Sequence, residues 1–510
     1  MRQQIKLFSV ENKSIAELLR LDESIYHIDS VAGMLEWDQE VNMPSGSAEA
    51  RTAQLTELKV VLHSKRINPK IAELLGKLED EIRSGQEFTP YDRALIRVMH
   101  EEYDSKTKIP LSLIEELSRA TSSGTRNWIE ARRKSDFGLF KDDLKKIVAL
   151  KIREAECLGY QDSPYDPLLN QFEPGFTVRA AEPIFAKLRD ELIGIVSRSS
   201  DTSEDYSFLN QKIDSRLLDQ FGREVLTAMG FNFAMGRLDI STHPFTIGLH
   251  PTDIRITTRY TEPNFTESLF SIFHEGGHGL YEQGVDLRLA ATTLGRIKSI
   301  GIHESQSRLW ENNVARSTSF WKFWYPKLSA RVLSSGCSLP PLATFLRAIN
   351  RINPGTIRVS ADEVTYNLHI IVRFEIEKML LAGELKAEDV PIAWNEKMEK
   401  YLGVKPRTDA GGCLQDVHWS NGLIGYFPTY ALGNIFAAQL MHTINKEFPD
   451  LNERIESGNL QFLQEWLRRN IHEFGNTYSS ADLIKQVTGE ELNPTYFTNY
   501  LQQKLQTFFG

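Results

Sequence analysis

Cysteine is scarce in this 510-residue chain: Cys157, Cys337 and Cys413 are far apart and odd in number. They supply neither a disulfide framework nor a C-x-x-C site, so a cross-linked secreted scaffold is not expected. Long apolar runs are missing too, none approaching 18 uninterrupted residues. The amino-terminal M-R-Q-Q-I-K-L-F-S-V-E-N-K lacks an apolar core followed by a small-residue cleavage site. A membrane span and a leader are therefore not expected, and a reduced, cytoplasmic protein is. No run of like charge stands out, and the net charge is -9. Phosphate binding needs a clustered basic surface, so neither nucleic acid nor a membrane is an expected partner. Gly/Ser linkers, low-complexity tracts and fixed-period repeats are also lacking. Length alone suggests two to four domains, but the chain reads as one continuous architecture.

What is present is helical periodicity over a globular composition, 41% hydrophobic and 25% charged. A 3.6-residue pattern opens at Ile15 and runs through Val31. It recurs over Ala53 to Leu62, Ile71 to Ile82, Pro90 to Tyr103, Leu111 to Ala120 and Leu139 to Leu158. Downstream, helices are expected over Ile302 to Trp324, Ala343 to Ile352, Ala361 to Ala382, Val390 to Tyr401 and Tyr430 to Glu447. Two more are expected from Leu460 to Phe474 and from Ser480 to Val487, with a glycine-rich, aromatic loop over Gly411 to Pro428. One stretch departs from the pattern. Phe245 to Tyr260 alternates and is rich in β-branched residues, so it reads as a hairpin turning near His250-Pro251-Thr252. Ile254, Ile256 and Thr258 should face one side, and Asp253, Arg255 and Thr257 the other. An edge of that sheet suits main-chain pairing with an extended peptide; the plainer reading is a plug in a helical core.

The chemistry is concentrated in S-I-F-H-E-G-G-H-G-L-Y-E-Q-G, Ser271 to Gly284, which carries the H-E-x-x-H pattern as His274, Glu275 and His278. On a helix, positions i and i+4 lie about 40° apart and about 6 Å along the axis. Two imidazoles so placed reach one small cation, and Glu275, set to the side, suits proton transfer rather than ligation. An amphipathic helix that happens to hold two histidines is the plainer reading. Gly276, Gly277 and Gly279 argue against it, since each costs up to about 1 kcal/mol in a helix; room for close approach of a metal and its substrate would account for them. A catalytic zinc site commonly has three protein ligands and an open position. Glu304, beginning a helix downstream, is the favoured third ligand, with His303 and Glu311 as rivals.

Several further segments carry a resemblance to a known family. They are His243-Pro244-Phe245, Asp253-Ile254-Arg255-Ile256-Thr257, His274-Glu275-Gly276-Gly277-His278 and His303-Glu304-Ser305-Gln306. Ile357-Arg358-Val359-Ser360-Ala361-Asp362 and Gly412-Cys413-Leu414-Gln415-Asp416-Val417-His418-Trp419 complete the set. Leu35-Glu36-Trp37-Asp38, Met43-Pro44 and Glu49-Ala50-Arg51 match as well. In order and over nearly the whole chain, they resemble the carboxypeptidase Taq family of zinc-dependent metallocarboxypeptidases. The resemblance implies a mostly α, saddle-shaped, zincin-like fold with a deep groove and one small β-sheet near the active site. It implies one catalytic domain over residues 1–510, with the amino-terminal helices as one wall of the groove, and a homodimer. The implied activity is removal of single residues from free peptide carboxyl termini, with broad specificity and little action on terminal proline. The implied ligands are His274, His278 and Glu304, with Glu275 as general base and cobalt accepted in place of zinc.

The remaining roles follow from that chemistry. An oxyanion needs fixed donors, and His418 and Tyr426 are candidates; a buried aromatic cluster is the alternative for both. A terminal carboxylate suits a bidentate arginine. Arg358 is the first choice, although Asp362 one turn away could claim it as an ion pair; Arg351 and Arg255 are the others, with Asp253 a possible partner for Arg255. His243 is expected to support the site from behind, and Cys413 to pack rather than react. Two other functions remain open. One is a helical zinc endo-oligopeptidase or dipeptidase. The other is a non-catalytic peptide-binding scaffold with a relict metal site.

Overall fold

The computed structural model describes residues 7–198, 204–260 and 264–510. Residues 1–6 of the amino-terminal stretch read above lie outside these. Helices dominate, as the periodicity requires, and their starts follow capping chemistry. Thr89 and Asp92 form a reciprocal capping box at the head of Pro90–Lys108. Asn264 accepts from the Thr266 amide ahead of Phe265–Gly284, the helix that carries H-E-x-x-H.

Several boundaries differ from expectation: Leu111–Lys134 runs on past Ala120, and the expected helix from Leu460 to Phe474 ends at Asn470. Two other differences have a clear local cause. The segment expected as one helix from Ile302 to Trp324 is split into Ile300–Arg308, a π-helical turn over Leu309–Val314, and a new helix Thr318–Ser334. Ser317 breaks it by accepting from the Phe320 amide. Likewise Asp362 accepts from the Val364 and Thr365 amides, so the next helix starts at Thr365 rather than Ala361.

The hairpin is present as β2 (Thr246–His250) and β3 (Asp253–Thr258), antiparallel. A third strand that periodicity did not reveal, β1 (Gly236–Ile240), pairs parallel to β3, giving the order β1-β3-β2. Its sequence G-R-L-D-I holds residues of low strand propensity, so the pairing, not the local sequence, makes it a strand. Ile254 and Ile256 are fully buried beneath the H-E-x-x-H helix. Arg255, on the opposite face, lies 4.3 Å above the Trp37 ring of Lys13–Val41, the first helix. That helix also reaches the edge of the sheet, where the Tyr26 hydroxyl and Ser30 Oγ each donate to the Leu249 carbonyl at 2.8 Å.

The amino-terminal helices build their own apolar cluster from Leu18, Ile25, Leu74, Leu75 and Leu95. Leu289 and Leu294, from the segment that follows the H-E-x-x-H helix, complete it. Asp22 accepts from the Thr293 amide, and Asp29 holds both Arg66 and Arg296. The amino-terminal helices are therefore anchored directly to the site-bearing part of the chain.

The three glycines of the motif are explained by packing, which corrects the expectation that they clear space for a ligand. A methyl group on Gly276 would meet the Leu226 side chain, and one on Gly279 would sit 2.8 Å from Phe231. On Gly277 it would sit 2.6 Å from the Gln306 carbonyl and 2.7 Å from the Ser307 Cα. Backbone cannot step aside as a side chain can. Gly277→Ala should therefore destabilise the protein by about 1–3 kcal/mol, the usual cost of overpacking. A denaturant midpoint equal to the parent's would refute this account of the helix contact.

Candidate metal centre

His274 and His278 project from one face of Phe265–Gly284, their rings edge-to-face at 4.9 Å. Helix Ile300–Arg308 packs across them. Gly433, in the helix Pro428–Glu447, permits this from the other side, since a methyl group there would collide with the Glu304 side chain. Glu304 Oε2 consequently lies 3.5 Å from His274 Nε2 and 3.3 Å from His278 Nε2. Bonds of 2.0–2.1 Å to a tetrahedral zinc place neighbouring donors about 3.3–3.4 Å apart. Two imidazoles, which bind a metal in their neutral form, and a carboxylate at that spacing fit a divalent cation of the zinc type.

Behind these donors stands a charged frame. His274 Nδ1 lies 2.8 Å from Glu311 Oε2, which assigns the proton to Nδ1 and leaves the Nε2 lone pair facing the other donors. Arg308 joins the two carboxylates, with Nε donating to Glu304 Oε1 at 2.7 Å and Nη1 to Glu311 Oε2 at 3.1 Å. Burial alone would raise the Glu304 pKa. Arg308 and the two imidazoles outweigh it and hold the carboxyl well below its ordinary range. Glu311 is likewise held down, to about 2, burial being outweighed by Arg308 and His274. Burial and the neighbouring His303 push His278 down to about 3. Of the three candidates, Glu304 is the one whose carboxylate faces both Nε2 atoms. Glu311 stands behind His274, and His303 stacks on His278 with its Nε2 3.1 Å from Glu282.

Glu275 is buried and directed at the sheet. Its Oε2 lies 2.7 Å from the Thr246 hydroxyl, and burial raises its pKa above the usual carboxylate value. Thr246 was missed by sequence reasoning. The alternation of β2 was the only signal for it, since it puts Thr246 and Gly248 on the face turned toward the H-E-x-x-H helix.

The other candidates are distributed unevenly. His418 and Tyr426 come together, ring centroids 5.5 Å apart, in an aromatic group with Phe427 and Tyr430. Burial lowers His418 to about 4; burial, followed by the charge of Glu304, raises Tyr426 to about 12. Arg358 is 6% exposed and committed. Its Nε and Nη2 donate to Asp416 Oδ1 and its Nη1 to the Tyr366 hydroxyl. Its ion-pair partner is therefore Asp416 and not Asp362, which is occupied as a helix cap. Arg255 donates to both oxygens of Asp253 at 3.0 Å, as anticipated. Arg351 lies 5.4 Å from the Tyr206 ring centre and has no carboxylate partner among the described residues. His243 is exposed between β1 and β2, and it is its carbonyl, accepting from Ser241, that is engaged. Cys413 is buried, which pushes its thiol above the ordinary value.

The chain as a whole is similar to known proteins. Residues 17–505 match the family model described as carboxypeptidase Taq (M32) metallopeptidase. Carboxypeptidase 1 of Bacillus subtilis is 37% identical over 97% of this chain and 98% of its own length. Thermostable carboxypeptidase 1 of Thermus thermophilus is 39% identical over 97% and 98%. A solved Pyrococcus furiosus carboxypeptidase superposes with a TM-score of 0.93 at 35% identity, covering 98% of this chain and all of its own. No helix among the described residues is long and apolar enough to cross a membrane. The chain belongs to the carboxypeptidase Taq (M32) family of metallopeptidases.

Proposed function

We propose that this metallocarboxypeptidase releases single residues from the free carboxyl termini of peptides, with His274, His278 and Glu304 holding zinc and cobalt accepted in its place. The observation that carries the reading is the donor spacing around Glu304 Oε2, with Glu275 alongside. When bound, the cation supplies a Lewis acid that polarises the scissile carbonyl and acidifies water. Glu275 supplies the base. Thr246 occupies Oε2, leaving Oε1 to take the proton from the attacking water and pass it to the departing amine nitrogen. Tyr426, whose raised pKa keeps its phenol protonated, and neutral His418 serve as donors to the developing oxyanion.

The peptide backbone pairs with the edge of β2. In the antiparallel register Ile247 bonds toward β3, so Thr246 and Gly248 turn their amide and carbonyl groups outward. The terminal carboxylate is received by an arginine from the set Arg358, Arg351 and Arg255. The first and last already hold an aspartate, which favours Arg351. His243 contributes from the exposed rim. The whole of 1–510 acts as one catalytic domain. A cytoplasmic homodimer fits the family resemblance and the three free cysteines.

The test is mass spectrometry of a synthetic peptide incubated with metal-loaded protein, beside a chelated control. The expected result is a chelator-sensitive ladder losing one carboxy-terminal residue at a time, abolished when that peptide is carboxy-amidated. Internal fragments would instead mark an endopeptidase. Intact peptide in the presence of stoichiometric metal would mark a binding protein.

A further inference from the structure

The two histidines of the motif are held by different means. His274 is fixed through Nδ1 by the Glu311 carboxylate at 2.8 Å. His278 Nδ1 is buried and has no hydrogen-bond partner among the described residues. A metal-binding imidazole without a partner on its second nitrogen is unusual, because that partner normally sets the orientation of the ring. What lies against His278 is a ring face. His303 stacks on it with centroids 4.3 Å apart and planes 24° from parallel.

His303 is itself fixed. Its Nε2 lies 3.1 Å from Glu282 Oε1, and Tyr281 lies beside its ring with centroids 5.6 Å apart. Glu282 follows His278 by four residues, so the two share a face of the helix. Its carboxylate occupies space left by Gly248 of β2, where a methyl group would come within 2.6 Å of Glu282 Oε2. A line of contacts thus runs from the sheet edge through Glu282 and His303 to His278.

We infer that His303 is the positioning residue that aims the His278 imidazole at the metal, by the stacking of its ring in place of a hydrogen bond. The inference rests on the metal-site reading above. It explains why His303, next in sequence to Glu304, does not ligate: its ring is spent on His278. Both ligands contributed by the H-E-x-x-H helix are then oriented by side chains from the segment that supplies Glu304, one by Glu311 and the other by His303.

Metal affinity of the full chain, measured by chelator competition, tests this together with the visible spectrum of the cobalt form. His303→Ala should weaken metal binding by about 10–100-fold, the usual effect of losing an orienting partner, and should alter the cobalt spectrum. His303→Phe keeps a ring face and loses only the bond to Glu282. It should bind within about threefold of the parent with the parent's spectrum, a rescue that general destabilisation would not give. Unchanged affinity and spectrum in His303→Ala would overturn the inference. So would a His303→Phe variant as weak as His303→Ala. A parent chain that retains no metal would overturn the site reading and this inference together. Loss of peptide cleavage with intact metal binding would count only against the proposed activity.

Discussion

Glu275→Gln is expected to keep its metal and lose turnover by about 10²–10⁴-fold, the range that a positioned general base contributes. The substitution preserves volume and leaves an oxygen for the Thr246 hydroxyl to donate to. His274, His278, Glu304 and the frame of Arg308 and Glu311 are untouched, so metal content should equal the parent's. The amide cannot accept the proton that Oε1 is left free to take. Removing a buried ionisable group whose pKa burial raises should leave folding stability at least equal to the parent's. Paired measurements of metal content and peptide hydrolysis decide the matter. Retained turnover at full metal occupancy would remove Glu275 from the role of base, whereas joint loss of metal and activity would move it into the ligand set.

A second large effect is expected at Glu304, and it should appear in stability as well as in metal content. Its two carboxylate oxygens divide their work: Oε2 faces both imidazoles, while Oε1 accepts from Arg308 Nε at 2.7 Å. Glu304→Ala removes a metal donor and one of the two carboxylates that neutralise a buried guanidinium. Breaking a buried pair from one side costs about 3–5 kcal/mol. Glu311 still holds Arg308 at 3.1 Å, so the lower part of that range is expected. Thermal unfolding of the metal-free proteins isolates this cost, and elemental analysis after dialysis reports the metal. Metal content undiminished in the variant would pass the third-ligand role to Glu311 or His303.

The parts of the site legible in the sequence were those fixed by short spacing. His274, Glu275 and His278 are arranged by one helical turn, whereas Glu304 was favoured over His303 and Glu311 only as lying near the start of the next expected helix. Most of the long helices were legible because their apolar faces repeat locally, but Val178–Arg198, Ser215–Met229 and Thr495–Phe509 were not anticipated. What was not legible depends on partners far away along the chain. Thr246 meets Glu275 across 29 positions, and Arg358 meets Asp416 across 58. Local sequence offered Asp362 as the nearer partner for Arg358, and the fold used that residue as a cap instead. Strand β1 is a strand only because β3 lies beside it. The glycines were noticed for the correct physical reason, their cost within a helix, but the sequence could not show what occupies the space they leave. At Gly277 that occupant is the backbone of the helix bearing Glu304; at Gly276 and Gly279 it is the side chains of Leu226 and Phe231.

The docking of the first helix on β2 has a consequence for solubility. A bare strand edge is a template on which another chain can pair, and proteins that keep one must guard it. Here the guard is two hydroxyls, those of Tyr26 and Ser30, both spent on the Leu249 carbonyl. They cover one end of the edge, beyond Thr246 and Gly248, the residues proposed above to pair with a peptide. Any swing of the amino-terminal helices wide enough to admit a bulky substrate would uncover that carbonyl. For that interval the catalytic sheet would be open to self-association. On such a swing the same pair of side chains would link width of access to resistance to aggregation.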